Sequence, residues 1–427
     1  MGVDIDLGKR VAFLRKKNNL SQKEVAQGII SVSHLSNLEV GRFSASEDTL
    51  KFLAKRLSVN ESYLLHIKEI NTPLENKLLE LNDLLIVNIE KLDELIAAIP
   101  KVINNIYLEI SYQLIKASYY WKRGENSQAK KIYEHYLKYY KDDLEETIKD
   151  QPLVLQTAFH YYQGIKLYRE NKYKESLIHF IQLIPLSTKD TVKANLYYNV
   201  SLIYHRLMKN IEAINQALKA QELYMEQNNW LMLAEVYNLL GVIYLEEGGL
   251  QTSTGYLLKA FDIAKTIHSN NLIERFYHNK GLLKSKKKNY KEAIGNYKIS
   301  YNLKKQNASP NIDITLIGII ECYNALEQVE ESEKWLMELH KFQEDERKYY
   351  TMKKLEADIE LLRGKETSFE QKKKEALDYF ISNDNYKDAL GISRKLGEYY
   401  CKQRSYKKAA HFLSKEIDIL NKLKFGV

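Results

Sequence analysis

The chain has 427 residues, which exceeds the size at which single domains usually stop growing, so we expect at least two folded units. Hydrophobic residues make up 44% and charged residues 28%, a composition typical of globular proteins that favours a packed interior over disorder. Only 5 prolines and 17 glycines interrupt the sequence, which argues against a sheet-rich protein with many tight turns and favours helices throughout. The net charge of +8 suits a polyanionic partner but does not identify one.

Several classes of protein are disfavoured by missing motifs. Cys322 and Cys401 lie far apart without companion ligands, which excludes a disulfide framework and a cysteine-based zinc site. The N-terminus lacks an apolar leader and no window approaches 18 uninterrupted apolar residues, so we predict a cytoplasmic protein with no membrane partner. Walker, His-Glu-x-x-His and nucleophile-elbow motifs are also missing. We therefore predict no catalytic residues, no cofactor and no metal.

The first 70 residues carry the pattern of a small helical bundle. A first helix over residues 7–18 places Leu7, Val11 and Leu14 on one face. A capping box, in which Ser21 precedes Glu24 by three residues, begins a second short helix. Gly28 suits the left-handed conformation that ends such a helix.

A third helix follows, with Ser31 or Ser33 as its N-cap and with Leu35 and Leu38 directed inward. Gly41 ends this helix. Two more amphipathic stretches, residues 48–56 and 61–67, complete a predicted bundle of five helices.

The second and third helices resemble the core of the phage-repressor and Xre family of helix-turn-helix domains. The resemblance rests on the segment SQKEVAQGIISVSHLSNLEVG and extends over residues 7–65. In this segment Ser36 and Glu39 are three apart, and Gly41 follows the third helix. The turn between the two helices is more apolar than is usual for the family. The resemblance implies that the third helix enters the major groove of double-stranded DNA.

The predicted DNA-binding residues are of two kinds. Side chains on the exposed side of the third helix would face base edges, and side chains at the helix starts and after the third helix would contact phosphates. Each of them could instead merely cover the surface. Those assigned to bases are Val32, Ser33, His34 and Asn37, those assigned to phosphates are Gln22 and Arg42, and Ser31 completes the set.

Pro73 interrupts the helical pattern and indicates a boundary. We predict a helix-turn-helix domain over residues 1–70, a linker over residues 71–75 and a repeat domain over residues 76–427.

The repeat domain is predicted from pairs of small residues twelve positions apart. The first members from Gly164 to Ile320 recur at intervals of 37, 40, 40 and 39 residues. Small residues are required where two antiparallel helices cross closely. The pairs are Ala117 and Ala129, Gly164 and Ser176, Ser201 and Ala213, Gly241 and Ser253, Gly281 and Ala293, Gly397 and Ala409 and, more loosely, Ile320 and Ser332.

These segments resemble tetratricopeptide repeats with a longer period. The resemblance implies an all-α fold in which eight or nine helix pairs form a right-handed superhelix. Most of the 32 tyrosines fit positions that pack one pair on the next, rather than a surface for stacking nucleic-acid bases.

A groove lined by the first helix of each pair is the predicted peptide site. Side-chain amides there can hydrogen-bond the backbone of an extended peptide whatever its sequence. The alternative is that these polar side chains are only solvated, and Asn199 and Asn279 also occupy common scaffold positions. The predicted peptide-binding residues are Asn195, Tyr198, Asn199, His205, Asn238, Arg275, His278 and Asn279.

The combination of an Xre-type domain with a long repeat array resembles the family of Rap, Rgg, NprR, PlcR and PrgX proteins, and the repeat length is most like NprR or the related phage receptor AimR. The resemblance implies a cytoplasmic quorum-sensing regulator that binds a short linear signalling peptide. It also implies a homodimer, or a higher oligomer, on a palindromic operator. An alternative is a Rap-like protein that binds and inhibits a phosphorelay response regulator.

Overall fold

A computed structural model describes residues 5–90, 92–309, 311–342, 345–383 and 385–425. Every regular element in these residues is helical and none is a strand, which confirms the all-α prediction. The chain divides into two compact units, Met1–Val200 and Ser201–Val427. None of the described helices is both long and apolar enough to cross a bilayer.

The N-terminal part of the first unit is the predicted bundle of five helices. Its inner faces meet in a core in which Val11, Val25, Leu35 and Leu53 are fully buried. The helices are α1 (Ile5–Lys17), α2 (Gln22–Ala26), α3 (Val32–Glu39), α4 (Glu47–Arg56) and α5 (Ser62–Leu65).

The predicted linker at residues 71–75 is not a separate connector. The side chain of Asn71 accepts a hydrogen bond from the Leu74 amide at 3.1 Å, and helix α6 (Thr72–Val87) begins at the next residue. Pro73 lies within the first turn, where a missing amide proton costs nothing. The sequence prediction read this proline as a helix breaker, but it is a helix starter.

The remainder of the first unit is also helical, and most of its helices are longer than those of the bundle. In α11 and α12 the predicted small residues are in contact, because the Ser176 hydroxyl donates to the Gly164 carbonyl at 2.7 Å. The helices are α7 (Leu92–Ala97), α8 (Ile106–Arg123), α9 (Asn126–His135), α10 (Lys141–Thr147), α11 (Leu153–Arg169), α12 (Tyr173–Leu186) and α13 (Asp190–Arg206), which continues into the second unit.

Arg10 joins the five-helix bundle to α8. Its side chain is completely buried and donates to the Tyr63 carbonyl at 2.8 Å and to Glu109 Oε2 at 2.7 Å. The guanidinium also lies 4.1 Å from the centre of the Tyr63 ring and donates to the Asn104 carbonyl. A buried charge is tolerated only when it is paired and hydrogen-bonded in this way. We call this set of contacts the Arg10 anchor.

The second unit continues as antiparallel helix pairs, and tetratricopeptide-like repeats are thereby confirmed. Its further helices are α14 (Asn210–Glu226), α15 (Trp230–Glu246), α16 (Leu250–Thr266), α17 (Asn270–Lys286), α18 (Tyr290–Gln306), α19 (Ile312–Ala325), α20 (Val329–His340), α21 (Glu346–Leu362), α22 (Glu366–Ser382), α23 (Tyr386–Lys402) and α24 (Tyr406–Phe425).

The small residue in the first helix of a pair makes room for a large residue sixteen positions later. A Cβ atom at Gly241 would lie 2.7 Å from a methyl carbon of Leu257, and one at Gly281 would lie 2.7 Å from the Tyr297 ring. Gly318 in α19 approaches the same ring equally closely from the next pair. The buried ring of Tyr297 is therefore in close contact with a glycine of its own helix pair and with a glycine of the next pair.

The packing of Tyr297 leads to a stability prediction. Gly281→Ala should destabilise the repeats by about 1–3 kcal/mol, because the ring has no space into which it can move. The matched control is Gly295→Ala in α18, where an added Cβ meets no atom within 4 Å. That substitution should stabilise the helix by roughly 0.5–1 kcal/mol. Urea unfolding followed by circular dichroism measures both changes, and equal midpoints for the two variants would contradict the packing argument.

Candidate DNA-binding and peptide-binding sites

Helices α2 and α3 form a helix-turn-helix unit whose ends are fixed by caps. Ser21 Oγ accepts from the Glu24 amide at 3.2 Å while Glu24 Oε2 accepts from the Ser21 amide at 2.7 Å, which is the predicted capping box. Gly28 has φ of +74° in the turn. Ser31, rather than Ser33, is the N-cap of α3, because its hydroxyl accepts from the His34 amide at 3.1 Å.

Glu39 holds α1, α2 and α3 together. Its carboxylate accepts from Arg15 Nε at 2.5 Å and from Arg15 Nη2 at 2.8 Å. It also accepts from the Gln22 amide nitrogen at 2.8 Å. The amide of Gln22 is thus directed at Glu39 within the domain, and a contact from Gln22 to a DNA phosphate would use its remaining N–H or require it to turn.

The predicted base-facing residues lie on the outer side of α3. Val32 is 44% exposed, Ser33 and His34 are exposed, and Asn37 is half-buried. Their helix is held by its opposite side, where Leu35 and Leu38 are buried as predicted. The exposed face therefore remains open to a ligand.

Arg42 is exposed just beyond α3. The sequence prediction missed the roles of two further residues of the domain, Phe43 and Arg56. The ring of Phe43 stacks on the His34 imidazole at 5.0 Å with an angle of 6° between the planes. Arg56 donates to the Gln27 carbonyl at 3.0 Å and to the Glu24 carbonyl, and it thereby caps the end of α2. Arg56 lies 29 residues from Gln27 and 32 residues from Glu24, and contacts over such separations leave no periodic pattern in the sequence.

Three predicted peptide-binding residues lie on α13 within the first unit. Asn195 is 6% exposed, and its amide donates to the Thr191 carbonyl at 2.9 Å. Tyr198 and Asn199 are half-buried one turn later. Asn195 is therefore occupied within its own helix.

In the second unit α15 and α17 carry a ladder of polar contacts. The Asn279 amide donates to Asn238 Oδ1 at 2.6 Å, and Arg275 lies 2.5 Å from the Glu235 carboxylate. Burial raises the pKa of Glu235, and Arg275 opposes this shift. Three predicted residues are thus adjacent, and Glu235 is a fourth member that the sequence prediction missed.

His278 has a more internal position than predicted. Its Nδ1 atom lies 3.1 Å from the Thr315 hydroxyl in α19. Burial lowers the pKa of His278 to about 3, with a smaller contribution from Lys304. The imidazole is therefore neutral at physiological pH and serves the contact between α17 and α19.

His205 belongs to an ionic cluster that joins distant repeats of the second unit. His205 Nε2 lies 2.9 Å from Glu246 Oε2, and Lys387 in α23 donates to Glu246 Oε1 at 2.9 Å. Burial alone would raise the pKa of Glu246, but the hydrogen bonds and charges of His205 and Lys387 lower it to about 2. Met208 packs against the hydrophobic core of the last repeats beside them. We call His205, Glu246 and Lys387 the Glu246 cluster.

The fold and the sites define a class of protein: a helix-turn-helix domain anchored to tetratricopeptide-like repeats. A family model described as helix-turn-helix matches residues 11–64. The transcriptional activator NprA of Geobacillus stearothermophilus is 26% identical over 425 residues, covering 93% of this chain and 99% of that protein.

Solved structures share the repeat fold. A Rap protein complexed with competence and sporulation factor gives a TM-score of 0.70 at 15% identity, over 83% of this chain and 99% of that chain. NprR in complex with its cognate peptide NprX gives 0.62 at 18% identity, over 82% of this chain and all of that chain. The chain is therefore similar over nearly its whole length to a transcriptional activator, and it shares its repeat fold with Rap and NprR proteins, as the sequence resemblance predicts.

The Glu246 cluster leads to a prediction about pH. Because the folded pKa of Glu246 lies below its ordinary value of 4.5, its stabilisation is complete above about pH 4.5 and is lost as the pH falls towards 2. Glu246→Gln should lower the free energy of unfolding at pH 7 by on the order of 1 kcal/mol. The difference from the unsubstituted chain should shrink in acid.

The matched control is Glu222→Gln on the exposed side of α14, which should leave stability unchanged. Urea unfolding at pH 7, 4 and 3 measures these effects. A constant difference between the unsubstituted chain and Glu246→Gln at all three values would contradict the assignment.

Proposed function

We propose that the protein is a quorum-sensing transcription regulator that binds operator DNA through α3 and is switched by a short linear peptide bound to the first helices of the repeats. The observation that carries this proposal is the exposed outer face of α3, fixed by the Glu39 contacts and anchored through Arg10 to the repeat region. NprA, which is similar over nearly its whole length, is a transcriptional activator.

In the proposed complex α3 lies in the major groove. Val32 would contact a thymine methyl group, Asn37 would pair with adenine, and Ser33 and His34 would face neighbouring base edges. Gln22, Ser31 and Arg42 would bind phosphates and set the orientation of the domain.

We assign the peptide to the polar residues of α15 and α17 in the second unit. The Asn238 and Asn279 amides can exchange their mutual hydrogen bond for bonds to a peptide backbone, and Arg275 and Glu235 can bind charged groups. The sequence also predicts peptide contacts for Asn195, Tyr198 and Asn199 in the first unit and for His205 and His278 in the second. Support comes from NprR and a Rap protein, which share the repeat fold and were solved with a peptide and with a signalling factor.

The switch we propose is a population shift in a cytoplasmic homodimer. Peptide binding would favour one arrangement of the repeats and so change the spacing of two α3 helices on a palindromic operator. The corresponding functional division is a DNA-binding domain over residues 1–70 and a sensing domain from residue 76 onward. We propose no catalytic role.

A Rap-like role is a second candidate, because the fold matches a Rap protein with a TM-score of 0.70. In this role the repeats would bind a phosphorelay response regulator when peptide is absent. Size-exclusion chromatography of the chain with purified response regulators, with and without peptide, distinguishes the two functions. A complex that forms only without peptide would favour the second.

For DNA binding we predict that Asn37→Ala weakens binding to the duplex upstream of the gene by about 1–3 kcal/mol, since an asparagine-adenine pair contributes this much discrimination. Asn271→Ala, an exposed asparagine of α17, is the control and should bind normally. Fluorescence anisotropy at fixed salt measures both. Equal affinities would remove Asn37 from the DNA interface.

For the switch we predict that a short synthetic peptide, taken from an overlapping set that covers any small reading frame found beside the gene, changes operator affinity or oligomeric state. Asn238→Ala should weaken the binding of that peptide roughly tenfold, whereas Asn271→Ala should not. Anisotropy and analytical ultracentrifugation are the measurements. If no peptide alters DNA affinity, oligomeric state or transcription, the switching model is wrong.

A further inference from the structure

A cavity of about 340 Å³ lies in the first unit among α6, α11 and the turn between α12 and α13. It shares no residue with the proposed DNA-binding or peptide-binding sites. Its polar lining includes Glu80, Asn82, Asp83, Thr157, Ser187 and Lys189, and leucine and isoleucine side chains form much of the rest.

Asn82 supplies the first observation that points to a ligand. The residue is 2% exposed, and its Oδ1 atom has no hydrogen-bond partner among the described residues. A buried carbonyl oxygen without a donor costs about 1–3 kcal/mol, so native structures contain few such unpaired atoms. It offers an acceptor to whatever fills the cavity.

Two of the three lining hydroxyls, those of the buried residues Thr157 and Ser187, are also acceptors. Thr157 Oγ1 donates its proton to the Val154 carbonyl at 3.2 Å, and Ser187 Oγ donates to the Leu183 carbonyl at 3.0 Å. Each hydroxyl has one proton and uses it in this hydrogen bond, so its oxygen can only accept a further hydrogen bond. Both residues are buried, which fixes these orientations.

The charged lining residues also favour a ligand that carries positive charge and donates hydrogen bonds. Glu80 and Asp83 supply two carboxylates, and the single ammonium of Lys189 lies 3.0 Å from Asp83. The lining is therefore net negative. Glu80 is exposed and Asp83 is half-buried, so a cationic ligand could approach them from solvent.

We propose that this cavity binds a primary ammonium or guanidinium group carried on a short alkyl chain. The N–H donors would satisfy Asn82 Oδ1 and the lone pairs of Thr157 and Ser187, and the net negative charge of Glu80, Asp83 and Lys189 together would balance the charge of the ligand. The alkyl chain would lie against the leucine and isoleucine walls. Such a group occurs in free diamines and in the basic side chains of peptides, and the chemistry of the site is the same for both.

The test uses the full chain and isothermal titration with agmatine and cadaverine. Pentanoate and 1-pentanol, which have similar chains without a cation, are the ligand controls. We expect heat of binding with at least one of the amines and with neither control. Equal binding of pentanoate, or absence of binding by both amines and by the peptide probe below, would overturn the proposal.

Two variants locate the site. Asn82→Leu removes the acceptor at similar volume, and Asp83→Asn removes the charge; each should weaken amine binding tenfold or more. Asp262→Asn, which changes an exposed acid paired with Lys265 in α16, is the matched control and should bind as before. Because Asn82→Leu removes an unpaired buried oxygen, its thermal midpoint should not fall, and unchanged affinity in both variants would place the amine elsewhere.

A peptide arm identifies the source of the cation. Acetyl-Ala-Lys-Ala-amide is compared with the same tripeptide carrying norleucine in place of lysine. Binding of the lysine form alone supports a peptide side chain, and binding of the free diamines alone supports a small metabolite. Equal binding of the lysine and norleucine forms would contradict a cation site.

Discussion

The structure of the first unit depends on one buried cation. Arg10 lies in α1, yet its partners belong to three separated places in the chain: Tyr63 at the end of the bundle, Asn104 in a turn and Glu109 in α8. Removing a guanidinium from water costs several kcal/mol, and here the two terminal nitrogens of Arg10 recover part of that cost through these three acceptors and the Glu109 charge. The arrangement is therefore favourable only when all of these elements are in place. The DNA-reading helices therefore have a defined orientation relative to α8.

This constraint bears on how a signal could reach DNA. A domain on a flexible tether would bind its operator with little regard to the state of the repeats. Here no such tether exists, since α6 begins at Thr72, and Phe13 of α1 packs edge-on against Tyr136 at 5.0 Å. A displacement of α8 would then be passed to the bundle that carries α3, and the proposed switch requires such a connection within the first unit.

The features that were predicted correctly from the sequence are those set by residues close together in the chain. The Ser21 capping box, the left-handed Gly28 and the spacing of Gly241 and Gly281 each depend on neighbouring residues or on one helix pair, and all were found as expected. The failures came from contacts between residues far apart in the chain. Nothing near Glu246 indicates Lys387, which is 141 residues away, and a proline is ambiguous between ending and starting a helix. The individual DNA and peptide contacts remain predictions.

The polar ladder of α15 and α17 suggests why a peptide can be recognised without a preformed empty site. Asn238 and Asn279 satisfy one another, and Arg275 satisfies Glu235, so no buried group is left unpaired before a ligand arrives. An incoming backbone amide replaces one hydrogen bond by another, and the net gain per bond is small. In the proposed complex, affinity would then come from the side chains of the peptide. A peptide charge placed beside the like charge of Arg275 or Glu235 would be repelled, and this repulsion would provide selectivity.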